Sequence, residues 1–568
     1  MRNRFFVPGG LFLIIALCVP AIILAQQSRS ARRGPTTPER APGAHGAGTR
    51  SAATTPAIKT DLSEALSVIQ SNHIDGKKLD YNNIFKSSIS GMLSVLDPHS
   101  TYFDPIEYAT FKTEQRSEYF GIGATIEDLR EGKDVNTFIR ATFNDAPAAR
   151  AGLRFGDRIL AVDGQSMKGK TYPEVRKFLL GPRGTTVKVT VLHPGNNQTE
   201  TVSIVRDAVS LPSIAQTYML QPGVGYVAMT GGFNLTTADE FDQALKQLHA
   251  KGMNMLILDL RGNRGGLLIQ AVRVANAFLQ RGQTIVTQNG RFRDSSQTYK
   301  AINDSPDNVP LVILVNGETA SAAEIVAGAL QDHDRALILG ETTFGKGLVQ
   351  FPFQLDYESA LLLTIAKYTT PSGRLIQRDY SNGGYNYYFP GGLAADKNAQ
   401  PNPQNGPESH TDMGRSVYGG GGIAPDEVVK PGTITAAERH LRDVIFSFSL
   451  ELVTGRVAGF ESYKIQRAIQ FDHDLEADDF PVTDALFREL KKFAAAKPIF
   501  KASPEQLERL RPFAEKQLRY NILSAAYGYR VATQVFNDGD PQISRAVEAL
   551  PRARELAIAA TKARARGE

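Results

Sequence analysis

The sequence predicts a layered α/β core, joined to a small β-rich block and flanked by helical N- and C-terminal regions. Three observations carry this. Between Gly223 and about Val429, the short apolar runs "VGYVAM", "MLILDL", "PLVILVN" and "ALILGE" alternate with the helical patterns "ADEFDQALKQLHAKG", "LIQAVRVANAFLQRG" and "SAAEIVAGALQD". Continuous apolar runs suit buried strands, and strand–helix alternation suits α/β layers. Between Glu118 and Arg206, "TTVKVTVLH" and "TETVSIV" alternate as half-buried strands beside one helical stretch, "TYPEVRKFLLG". Before and after these blocks, apolar residues recur at helical spacing.

From the N-terminus, "MRNRFF" and the apolar "GGLFLIIALCVPAIILA" read as a charged n-region and an h-region ending at Ala25. A cleaved signal peptide over residues 1–25 is favoured over a retained anchor, because the run is short and Pro20 interrupts it. Cys18 is the only cysteine and lies inside this leader. If the leader is cut, disulfides, a thiol nucleophile and cysteine-ligated zinc are excluded. Residues 26–60 are rich in Pro, Gly, Ala, Ser, Thr and Arg and read as a flexible linker. A helical region follows over 61–117, with Leu62, Ala65, Leu66 and Ile69 at helical spacing. The β-rich block spans 118–206, the α/β core 207–432, and a helical extension 433–568. Within the core, 379–422 is rich in Gly, Asn and Pro and reads as a mobile loop insertion. In the extension, "SPEQLERL" sets Ser503 as helix cap with Pro504 behind it, and the section reads as a packing or partner-binding module.

The net charge of +5 on 568 residues gives no reason to expect nucleic acid. There is no H-E-x-x-H and no Cys/His cluster, so no metal and no cofactor are expected.

Chemistry concentrates in two loops and a helix start. "LILDLRGNRGGLL" leaves a strand through Gly262, Gly265 and Gly266, without Walker or dinucleotide spacing. Ser321 follows "VNGETA" at the start of a helix, where free N–H groups favour a developing anion. Ala322 supplies an N–H beside it. A serine there is most often only an N-cap, and Glu324 three residues on completes a capping box. Lys346 lies between Gly345 and Gly347 in "GETTFGKGLVQ". To act as a base it must be neutral, so burial must lower its pKa from about 10.4. In an extended strand Gln350 would share a face with it but stand about 13 Å away, so the glycine hinge or a helical turn would be needed to join them. His333 lies about 18 Å along the helix from Ser321, too far for proton transfer. His99 and His249 could serve only through tertiary contacts.

The order of the leader, "GMLSVLDPHSTY", "YFGIGA", "APAARAGLRFGDRILAVDG", "ILDLRGNRGG", "NGETASAAEIVAGALQD" and "GETTFGKGLVQ" resembles the carboxyl-terminal (tail-specific) processing peptidases. The resemblance covers roughly Asp61 to Val429. It implies a crotonase/ClpP-like layered α/β core and a serine endopeptidase acting on C-terminal tails. It also implies Ser321 as nucleophile, Lys346, 25 residues on, as general base, and Gln350 as the lysine's orienting group. The oxyanion donors would be Ala322 N–H and a backbone N–H of Gly265 or Gly266. The 118–206 block resembles a PDZ domain inserted before the core, with Gly121, Ile122 and Gly123 as its carboxylate loop. Protein substrates with unstructured tails, an adaptor protein and a homo-oligomer are the partners so implied. The site so implied is exported: periplasmic, or tethered on the outer side of the inner membrane. Two rivals are an inactive PDZ scaffold and acyl-CoA chemistry of the crotonase type. The insertion departs from the family pattern, in which "TPSGRLIQ" leads directly to a "GIAPDEVV"-like segment.

Overall fold

The structure, a computed structural model, describes residues 54–381, 387–388, 406–465 and 468–566. The leader, most of the linker and parts of the insertion lie outside the described residues. Two compact units are present, divided between Leu96 and Asp97. The first holds the helices Thr55–Asn72 and Tyr81–Ser94, the second capped by Asp80, whose carboxylate accepts from Asn82 and Asn83 N–H. The first of these helices starts inside the segment assigned to the linker. Pro56 near its start explains why: composition marks a linker, yet proline is well suited to a first helical turn.

The second unit is built on a six-stranded sheet in the order Gln216–Gln221, Val224–Ala228, Met255–Asp259, Leu311–Val315, Leu337–Gly340, Glu427–Val428. The first pair is antiparallel and the rest are parallel. Strands Val224–Ala228 and Leu311–Val315 are buried at every residue, as their unbroken apolar sequences require. One face packs Leu256, Leu258, Ile313 and Val315 against Phe241, Ala271, Ala323 and Val326. These four come from helices Thr237–Ala250, Leu268–Asn276 and Ala322–Asp332. The other face packs Ile257, Val312 and Leu339 against Ile543, Ala546 and Leu550 of the helix Pro541–Arg566. The C-terminal extension therefore supplies the core's third layer.

That last helix also reaches the glycine loop. The Arg261 guanidinium, in "RGNRGG", donates to Asp259 at 2.6 Å and to both Asp540 and Gln542 at 2.8 Å. A section read as a packing or partner-binding module thus anchors the root of the loop that flanks Ser321.

A second sheet is antiparallel. Ala360–Thr369 is its central strand, flanked by Leu348–Gln354 on one side and by Thr101–Phe103 and Thr284–Gly290 on the other. The β-rich domain has five main strands, headed by Ala124–Glu131, around Ile139, Val187, Val189 and Val191. Strands Glu118–Gly121 and Asp207–Ser210 pair to close its base. Its Leu129, Phe138 and Phe155 join a core with Phe446, Leu450 and Leu518 of the C-terminal helices.

The described part of the insertion departs from the expected surface loop. Strands Glu408–His410 and Ser416–Tyr418 form a hairpin, and Val417 is buried. Arg415 bridges Asp334 and Asp426 at 2.6 and 2.5 Å, and Asp412 Oδ2 lies 2.8 Å from His333 Nδ1. Paired charges tie this segment down where a Gly- and Asn-rich composition suggested mobility.

Leu550→Ala removes a side chain buried between helix and sheet. It is expected to destabilise the chain by about 2–5 kcal/mol, read as a lowered thermal midpoint.

Candidate active site

Ser321 sits at the corner between strand Leu311–Val315 and helix Ala322–Asp332. A capping serine takes extended backbone. Ser321 instead has φ 56° and ψ −115°. A non-glycine residue held there stores strain of order 1–3 kcal/mol, which surrounding contacts must offset. The contacts are visible: Glu324 accepts from Ser321 N–H at 2.7 Å, and the Tyr368 hydroxyl lies 3.0 Å from Ser321 O. The sharp turn pushes the hydroxyl off the strand end, and Ser321 remains partly exposed.

Glu324 does more than complete a capping box. Its fully buried carboxylate accepts from Ser321 N–H, from Gly345 N–H at 2.7 Å, from Lys346 N–H at 2.9 Å and from the Thr343 hydroxyl. Burial pushes its carboxyl above the ordinary value, against four hydrogen bonds that favour the ionised form. Tyr368 adds a second tie, its hydroxyl lying 2.8 Å from Lys346 O as well as beside Ser321 O. One carboxylate and one phenol therefore bind the serine corner to the lysine loop.

Lys346 Nζ donates to Gln350 Oε1 at 2.7 Å, while Gln350 Nε2 donates to His99 O at 2.6 Å. A carbonyl can only accept, so His99 O fixes which way the amide faces and leaves its oxygen for the amine. The expected 13 Å gap is closed by two long side chains and by an irregularity in strand pairing between Val349 and Gln350. Desolvation pulls the Lys346 pKa down to about 8, against the charges of Asp97 and Glu324. Gly345 is required for the turn: φ is +87°, and a Cβ would come within 2.9 Å of Gly422 N.

His99 enters the site through its backbone. Asp97 accepts from His99 N–H at 2.8 Å and from Ser100 N–H at 2.7 Å, shaping "DPHS" into a turn that aims the His99 carbonyl at Gln350. Burial, then the Lys346 charge, lowers the His99 pKa to about 3, so its ring stays neutral. The two other candidate histidines are engaged elsewhere, His249 with Asp307 and His333 with Asp412 and Thr284 O.

The glycine loop lies against the serine corner. A Cβ on Gly265, at φ +90°, would fall 2.7 Å from Ser321 Cβ and 2.9 Å from Ala322 N. Of the two expected loop donors, Gly265 N–H is taken by Asn263 Oδ1 at 2.9 Å. Gly266 is exposed, and neither its N–H nor that of Ala322 has a hydrogen-bond acceptor among the described residues. In the β-rich domain, Ile122 and Gly123 carbonyls accept from Ala148 and Phe143 N–H, and Gly121 ends its strand.

Sequence reading missed Glu324 as a tie, Tyr368, and the Asp97 turn. Only "DPHS", whose aspartate precedes two free N–H groups, carried a usable signal.

Comparison with known proteins gives a consistent set of relatives. The model of peptidase family S41 matches residues 223–383, and a PDZ-domain model matches 144–192. The carboxy-terminal-processing protease of Bartonella bacilliformis is 36% identical over 302 residues, covering 52% of this chain and 68% of that protein. The carboxy-terminal processing protease CtpA of Bacillus subtilis is 35% identical over 335 residues, covering 58% and 69%. Among solved structures, the photosystem II D1 C-terminal processing protease is 33% identical, with a TM-score of 0.31, covering 51% of this chain and 78% of that one.

Gly265→Ala is expected to displace the Ser321 corner and lower turnover about a hundredfold while the chain still folds, checked by steady-state rate beside circular dichroism.

Proposed function

The chain belongs to the carboxy-terminal-processing proteases of peptidase family S41, and we propose that Ser321 and Lys346 are the nucleophile and base with which it cleaves protein tails. It is a serine protease with a PDZ domain. The observation that carries the residue assignment is a desolvated lysine, oriented by an amide and tied through Glu324 and Tyr368 to a strained serine.

In this reading Ser321 Oγ attacks the scissile carbonyl carbon and its proton passes to neutral Lys346 Nζ. One lysine N–H is occupied by Gln350 Oε1, which turns the lone pair away from the glutamine. The carbonyl oxygen, now an oxyanion, is received by Ala322 N–H and Gly266 N–H, at a helix N-terminus whose dipole favours negative charge. Collapse of the tetrahedral adduct breaks the C–N bond, and Lys346 returns the proton to the leaving amine. The acyl-serine is then hydrolysed by a water that Lys346 deprotonates, regenerating the free hydroxyl. No histidine is needed, and the neutral His99 ring puts no second positive charge beside the amine.

The PDZ domain would hold the substrate's C-terminus. Strand Ala124–Glu131 ends its sheet, so a tail can add there as a further strand, with its carboxylate at the Gly121–Gly123 loop. The charged and apolar leader supports an exported enzyme acting on cell-envelope proteins.

Ser321→Ala and Lys346→Ala are each expected to lower cleavage of an unstructured tail at least about a thousandfold while folding normally. A serine-reactive phosphonate should label only chains that keep both residues, and near-normal turnover in either variant would exclude the pair. Below the lysine pKa the amine is protonated and cannot accept. The rate is therefore expected to rise with pH, with a midpoint near about 8. A kcat/KM profile flat from pH 6 to 10 (a window set by about two units either side) would contradict a lysine base.

A further inference from the structure

The insertion contributes to the base. Tyr387, within 379–422, is buried to 1% exposure. Its hydroxyl lies 2.8 Å from His99 Nε2 and 3.2 Å from Gln377 Nε2. Gln377 Nε2 can only donate, so Tyr387 Oη accepts from it while the same hydroxyl pairs with His99 Nε2.

Both residues gripped by Tyr387 also grip the lysine loop. His99 O accepts from Gln350, whose oxygen holds Lys346 Nζ. Gln377 Oε1 accepts from Gly347 N–H at 2.8 Å, next to Lys346 in the chain. The Tyr387 ring stands edge-on to His99 and to Phe344, with centroids 5.2 and 5.4 Å apart. Tyr388 closes the same aromatic cluster, and its hydroxyl donates to Pro98 O at 2.9 Å. The charged and titratable groups around the amine are Asp97 and His99 from the "DPHS" turn, Glu324 from its helix and Tyr368 from the central strand. Arg378 lies over Phe344.

We propose that Tyr387 is a positioning residue for the catalytic lysine: its ring keeps water from the His99–Phe344 side of the site, and its hydroxyl fixes His99 and Gln377. The inference rests on Lys346 being the base. It gives the insertion a role in this enzyme, as the supplier of one wall of the active site.

The test measures kcat/KM against pH for the full chain on a fluorogenic tail peptide, with phosphonate titration counting competent sites. Tyr387→Ala admits water, and its ascending midpoint is expected to move up by at least about one unit towards the ordinary lysine value of about 10.4. Tyr387→Phe keeps the wall and loses the clip. Its midpoint is expected to stay within about 0.3 units while kcat falls about tenfold. A midpoint in Tyr387→Ala that matches wild type, with Lys346→Ala inactive, overturns this inference alone. A fully active Lys346→Ala overturns the base assignment and this inference with it.

Discussion

One buried carboxylate holds the site together. Glu324 takes N–H groups from Ser321, Gly345 and Lys346 and a hydroxyl from Thr343, four donors from two segments more than twenty residues apart. Each bond is modest alone. Together they satisfy a charge that burial would otherwise make very costly, so the carboxylate fits nowhere but between these loops. That requirement fixes the serine corner against the lysine turn. The strained backbone at Ser321 persists because the carboxylate and Tyr368 over-determine it.

Around that tie the molecule arranges layers that do not face substrate. The parallel sheet places the ends of Met255–Asp259 and Leu311–Val315 side by side, bringing the glycine loop and the serine corner together. The last helix covers the sheet's far face and anchors Arg261 through Asp540 and Gln542. The antiparallel sheet carries Gln350 and Tyr368 on adjoining strands. The PDZ domain shares a core with the C-terminal helices, so its position is set by apolar packing as well as by its two-strand base. The proposed reaction, which needs one uncharged amine, thus draws on much of the folded chain.

Much of the core was legible in the sequence because buried parallel strands must be continuously apolar, and "VGYVAM" and "PLVILVN" are. The candidate residues were legible because glycines and a serine at strand ends have few structural uses together. Glu324 was not, since a glutamate three residues after a serine carries the same signal whether it caps one helix or joins two loops. Gln350 was flagged but its geometry was not, because strand spacing counts backbone distance and ignores the reach of lysine and glutamine side chains. Composition misjudged the linker's end at Thr55 and the described end of the insertion around Arg415, where one proline and a few ion pairs outweigh many small polar residues. The contact of Tyr387 with His99 spans 288 residues, a separation no local pattern reports.

The state of the Lys346 amine is the most direct test of this account. Lysine labelled with carbon-13 at Cε, followed by NMR across pH, reads that ionisation without relying on turnover, with the Lys346 signal assigned by its loss in Lys346→Arg. The account predicts a midpoint near about 8. A midpoint at the ordinary lysine value of about 10.4 would show a cation at neutral pH, and a base that is charged cannot take the serine's proton.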